Sequence, residues 1–122
     1  MVTTEDLERF FDDGWNKHDL DALMRLMADD CVFESASGPD ACGTRYLGQE
    51  GVRAGFAAVF AKFPDVQFRD ARHLVVDDRG VSEWTFTGTT ADGRRVEVDG
   101  CDLFTFRDDK IARKSSYLKT RG

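Results

Sequence analysis

The sequence predicts an α+β domain, because two kinds of periodicity divide the chain between them. Apolar residues recur at helical spacing from Leu7 to Phe63. From Val66 onward they alternate at the period of strands, and Asp-rich and Gly-rich turns punctuate that second half. Helices first and a strand meander afterwards give helices packed on one face of a curled sheet. At 122 residues the chain is read as one domain, 1–122, which buries about two-thirds of its unfolded surface.

Thr3 or Thr4 is expected to cap the first helix, with Glu5 and Asp6 in its first turn and Leu7, Phe10, Phe11 and Trp15 on one face. Asn16-Lys17-His18 interrupts the pattern, and His18 reads as a solvated turn residue. Asp19 then caps a second helix carrying Leu20, Leu23, Met24 and Met27, which Asp29-Asp30 is expected to end. Cys31–Ser35 reads as a short strand, residues 37–43 as a loop beside a pocket mouth, and Thr44–Leu47 as extended. Gly48-Gln49-Glu50 opens a third helix with Val52, Phe56, Val59, Phe60 and Phe63 on one face, and Pro64 stops it. Four strands follow, at Val66–Val76, Val81–Thr90, Arg94–Phe106 and Ile111–Lys119, joined by turns at residues 77–80, 92–93 and 108–109.

With 23 acids against 17 bases, a net charge of -6 leaves no basic stripe for nucleic acid. A small neutral or weakly charged ligand suits this balance better. Cys31, Cys42 and Cys101 are odd in number and lack CxxC spacing, so reduced thiols are expected. The N-terminal residues carry no basic and apolar leader pattern and no run approaches a membrane span, so a cytoplasmic location without membrane contact is expected. Two histidines without ligand spacing predict no metal site, and no cofactor motif is present. No nucleophile elbow or phosphate-binding glycine loop occurs, and Gly48–Gly51 reads as a helix start.

Asp102 is the central question, because it sits among Leu103, Phe104 and Phe106. An acid on the apolar face of a strand must be protonated, paired or put to work, since burying a bare carboxylate costs several kcal/mol. Two readings stay open: a pocket acid acting as base or neutral donor, or a buried acid paired with Tyr117, Lys114 or Lys119. A bulge in the last strand would decide which of Tyr117 and Lys119 points inward. His73 reads either as a second acid/base group or as a surface or dimer-face histidine. Glu83 alternates against Trp84 and is expected to pair with Arg95 or Arg113 on the other face, to which Cys101 also belongs.

The order of elements, the Ala28-Asp29-Asp30 run and the stretch from Asp102 to Ile111 together resemble the SnoaL-like group of the nuclear transport factor 2 superfamily. That superfamily also includes ketosteroid isomerase, limonene epoxide hydrolase and scytalone dehydratase. The resemblance covers nearly the whole chain and implies a cone-shaped half-barrel around a pocket. Against ketosteroid isomerase, Asp102 matches the donor aspartate, whereas Phe11 stands at the tyrosine and Ser35 at the base, with Glu34 or Asp40 as substitutes for it. Against limonene epoxide hydrolase, Trp84, Phe86 and Lys119 replace the water-activating Arg and Asp residues.

The resemblance implies a pocket of Trp15, Phe33, Ser35, Phe56, Trp84 and Phe86, extended by Phe104 and Lys119, with Asp102 as its polar focus. With that pocket comes a small apolar or carbonyl-containing molecule as the implied partner, and a homodimer is expected through the outer face of the long sheet, which should be partly apolar and need covering. The expected chemistry is proton transfer beside a carbonyl, of isomerase or cyclase type, with Asp102 as the acting residue and Tyr117 or His73 assisting. The competing expectation is a module that binds a ligand or dimerises without catalysis.

Overall fold

A computed structural model describes residues 1–122. The N-terminal helix is opened by Thr3, whose hydroxyl accepts from the Asp6 N–H while the Asp6 carboxylate accepts from the Thr3 N–H. It is α-helical over Thr4–Arg9 (α1) and then widens to a π-helix over Phe10–Trp15. The sequence predicts one uniform helix here. The wider turn, with the Asn16 N–H donating to the Phe11 carbonyl at 2.8 Å, brings Phe10, Phe11 and Trp15 all into the core.

Asp19 caps α2, Leu20–Leu26, by accepting from the Ala22 N–H. This helix ends at Leu26, ahead of the Asp29-Asp30 pair at which the sequence predicts its end. Met27 is already extended, and the first strand, β1, runs Met27–Glu34 and contains the Ala28-Asp29-Asp30 run. The reason is a register shift between Met27 and Val32. It tucks Met27 and Ala28 inside and leaves Asp29 and Asp30 in water. The Gln49 side-chain amide donates to the Met27 and Ala28 carbonyls, satisfying groups the shift frees. His18, expected in solvent, is half-buried: its ring stacks on Phe60 and its Nε2 meets the Val66 carbonyl at 2.8 Å.

β2 is Arg45–Leu47 and α3 is Gly48–Lys62. β3 (Gln67–Val76), β4 (Arg79–Thr89), β5 (Arg95–Arg107) and β6 (Lys110–Leu118) follow, each within two residues of the predicted bounds. The tight turns need left-handed backbone at Asp77 (φ 53), Gly93 (φ 85) and Asp108 (φ 56), which Gly and Asp tolerate best. The six strands are ordered β2-β1-β6-β5-β4-β3, antiparallel throughout except for the parallel β1–β6 pair. The three helices lie on the inner face, and twenty buried apolar residues form one core between the layers. Aromatic rings dominate it: Trp15 packs on Phe56, Phe60 and Phe68, and Phe33 on Phe56. Each such ring contributes about 1.5–3 kcal/mol by leaving water.

On the outer face the charges are matched locally. Glu83 pairs with Arg72 at 3.3 Å rather than with Arg95 or Arg113, because Arg72 stands directly opposite on β3. Arg95 goes to Asp65, and Arg113 joins Arg45 on Glu34. No helix is long and apolar enough to cross a membrane.

Candidate functional site

One extra residue in β6 sets which side chains reach the interior. Thr105 pairs with Arg113 and Phe106 with Ile111, so Ala112 is left over as a bulge. Strict alternation from buried Ile111 would send Arg113, Ser115, Tyr117 and Lys119 inward. The bulge reverses this, and Lys114 and Ser116 turn in beside Phe104 and Asp102. Tyr117 lies opposite Cys101 on the outer face, 52% exposed, and does not reach Asp102. Lys119 is exposed and borders a separate groove that also contains Arg72, Glu83 and Tyr117.

Asp102 is 0% exposed and fully partnered. Its Oδ1 accepts a short hydrogen bond from the Ser116 hydroxyl and meets the Lys114 ammonium at 2.9 Å. Its Oδ2 accepts from the Trp84 indole N–H at 3.3 Å. Lys114, 2% exposed, also donates to the Ser116 hydroxyl oxygen at 2.9 Å. Its Nζ lies 5.0 Å from the Trp15 ring centre, 4.8 Å from Phe33 and 5.7 Å from Phe56. The cation is thus held by one carboxylate, one hydroxyl and three aromatic faces. Burial pulls the Lys114 ammonium below the ordinary lysine range, and the Asp102 carboxylate opposes that pull.

His73, Ser82, Asp102 and Ser116 occupy one row across β3, β4, β5 and β6. His73 Nδ1 meets the Ser82 hydroxyl at 2.7 Å, and its ring stacks on Phe11 at 5.6 Å. Burial lowers its basicity against the opposing charges of Glu8 and Asp12. His73 therefore belongs to the inner face but is separated from Ser116 by two intervening strands, β4 and β5.

Beside this row opens an apolar cavity of about 280 Å³ between α3 and the sheet. Of the expected pocket residues, Phe33, Ser35, Trp84 and Phe86 line it. Trp15 and Phe56 sit behind its wall as part of the cage around Lys114, and Phe104 is core, in contact with Phe10 and Phe106. Ser116 lines the cavity and its hydroxyl bonds both members of the buried pair, while Trp84, also in the lining, bonds Asp102 through its indole N–H; these two side chains connect the pair to the open space. The sequence gives no direct sign of Ser116, and it offers Lys114 only as one of three partners for Asp102. Tyr46 and Phe68 complete the walls, and Gly55 makes room for Tyr46, since a Cβ there would fall 2.7 Å from its ring.

The positions considered as substitutes for a base are otherwise engaged. Glu34, 3% exposed, faces outward between Arg45 and Arg113, each donating two hydrogen bonds. Desolvation pushes its carboxyl up, but the Arg113 and Arg45 bonds outweigh this and hold it below the usual range. The Ser35 hydroxyl donates to the Ser37 carbonyl at 2.8 Å and accepts from the Thr44 N–H, tying the loop. Asp40 lies exposed in that loop, where it bridges to Gly43.

Comparison with solved structures returns the same architecture. A candidate polyketide cyclase from Pseudomonas putida KT2440 is 20% identical with a TM-score of 0.84, covering 98% of this chain and 92% of that one. TerC, co-crystallised with polyporic acid, is 21% identical with a TM-score of 0.80 over 95% of this chain and 90% of its own. A nuclear transport factor 2-like protein of unknown function from Mesorhizobium loti is 30% identical with a TM-score of 0.75, covering 96% and 90%. No curated protein matches the sequence. The family profile of the SnoaL-like domain matches residues 7–114, nearly the full span of the fold from α1 to the Lys114 that backs the cavity, and the chain belongs to that family.

Proposed function

We propose that this protein binds a small carbonyl-containing molecule in the cavity beside Ser116 and moves a proton next to that carbonyl, as an isomerase or cyclase does. The observation that carries this reading is the contact of Ser116 with both the cavity and the Asp102–Lys114 pair. A ligand proton reaches the Ser116 oxygen as the Ser116 proton passes to Asp102, and the Lys114 cation offsets the charge developing on oxygen. Return of the proton to a second atom of the ligand completes an isomerisation. Attack of the enolate on a second carbonyl, with the proton returned to the new alkoxide, completes a cyclisation. Crystallisation of TerC with polyporic acid supports a small organic ligand for this fold.

A second reading, binding without conversion, is favoured by the full satisfaction of Asp102 by its own protein neighbours. Mass analysis of mixtures with small carbonyl compounds separates the two. Conversion that disappears in Ser116→Ala and Asp102→Asn supports catalysis, and thermal stabilisation without any change of mass supports binding alone. The outer-face row of exposed Leu74, half-buried Val81 and exposed Leu103, with exposed Tyr117 beside it, supports a homodimer through that face. A monomer mass in solution at micromolar concentration refutes it.

A further inference from the structure

The cavity carries a charge bias opposite to that of the chain. Acids number 23 of 122 residues and the net charge is -6, yet none of the 16 residues around the cavity is acidic. The one charged side chain among them is Lys62, at the last turn of α3. Its ammonium is not spent on a carboxylate and stands 5.6 Å from the centre of the Phe63 ring, another part of the wall. At the other end the wall consists of Phe33, Trp84 and Ser116, with Lys114 and Asp102 behind it as a pair that cancels its own charge. The lining is therefore apolar and aromatic at depth and cationic at the rim.

We infer that the ligand of this cavity is a flat aromatic acid, whose ring system lies against the packed wall of Phe68, Trp84 and Phe86 and whose anionic group is met by Lys62. The inference rests on the pocket reading given above and narrows it to a chemical class. The volume, about 280 Å³, is at the small end for ligand sites and suits one or two rings. A neutral ligand of the same shape would gain the ring contacts but not the charge. An anion in water faces repulsion from an acidic chain over most of its surface, so the cavity mouth is where it gains. Lys62 is thus a specificity-determining residue.

The test compares 2-naphthoate with 2-naphthamide, a neutral probe of nearly the same shape, by titration against the fluorescence of the protein, since Trp84 lines the site. The expected result is about fivefold tighter binding of naphthoate at low salt, the upper range for a partly exposed ion pair. That preference is lost in Lys62→Gln and at high salt, and is kept in Lys119→Gln, which removes the same charge away from the cavity. Equal binding of the two probes, or a preference that survives Lys62→Gln, overturns the inference and leaves the pocket reading intact. Binding of neither probe, even at millimolar concentration, overturns both.

Discussion

Replacing Lys114 by Met removes the cation while keeping most of the volume, so the cavity contribution to the cost is small. What remains is a carboxylate that is 0% exposed and retains only two neutral donors, the Ser116 hydroxyl and the Trp84 indole. Stranding one member of a buried ion pair costs about 3–5 kcal/mol. The loss of three aromatic faces on the ammonium acts in the same direction. Against a total stability of roughly 5–15 kcal/mol that is a large fraction. For a domain of this size it lowers Tm by roughly 12–20 °C. Urea denaturation of Lys114→Met, Asp102→Asn and the double variant measures it directly. The double variant, with no unpaired charge left inside, should recover at least about 2 kcal/mol of what Lys114→Met loses. A Lys114→Met protein within about 1 kcal/mol of the parent, or a double variant no more stable than the single one, refutes the buried-pair account.

Three further outcomes follow from the same physics. Glu34→Gln leaves Arg45 and Arg113 without the carboxylate that takes two hydrogen bonds from each, and should cost about 2–3 kcal/mol in urea at neutral pH. Because the folded Glu34 value lies below the unfolded one, its contribution is present above the unfolded value and lost as pH falls through the folded one. The parent and Glu34→Gln stabilities should therefore converge in acid. His73 also has a folded value below its ordinary one, so the unfolded chain binds the proton first and stability falls as pH drops below about 6.5. In His73→Gln that part of the pH slope should vanish, and an unchanged slope would show that His73 is not buried against Phe11. Gly55→Ala places a methyl 2.7 Å from the Tyr46 ring and 3.0 Å from Phe33, and should cost about 1–3 kcal/mol by thermal melting despite the better helix propensity of Ala.

Much of this molecule is written in local patterns. The capping residues Thr3 and Asp19, the apolar face of α3 and the three Asp-rich or Gly-rich turns of the meander are short-range signals, and the structure follows them. Asp102 was legible as an anomaly for the same reason, being an acid among inward-facing Phe residues. What was not legible depends on single-residue insertions. The bulge at Ala112 exchanges Tyr117 and Lys119 for Lys114 and Ser116 on the inner face, and no residue type in that strand announces it. The early end of α2 has the same origin, because the pairing of Met27 with Ile111 is a long-range contact that overrides a continuing helical pattern. The π-helical turn likewise answers to the packing of Phe10, Phe11 and Trp15 rather than to their spacing.

The parallel pairing of β1 with β6 also fixes the order in which the protein becomes complete. β1 is paired on one side with β2 and on the other with the last strand, and Glu34 bonds Arg113 across 79 residues of chain. During synthesis α1, α2, α3 and the first hairpins emerge well before Lys114 does, and a pairing of such sequence separation is slow to close. Until it closes, Trp15, Phe33 and Phe56 have no ammonium between them and β1 has a free edge of the kind that recruits other chains. The last strand thus acts as the latch of the fold, and the nascent protein is most exposed to aggregation in the interval just before that strand arrives.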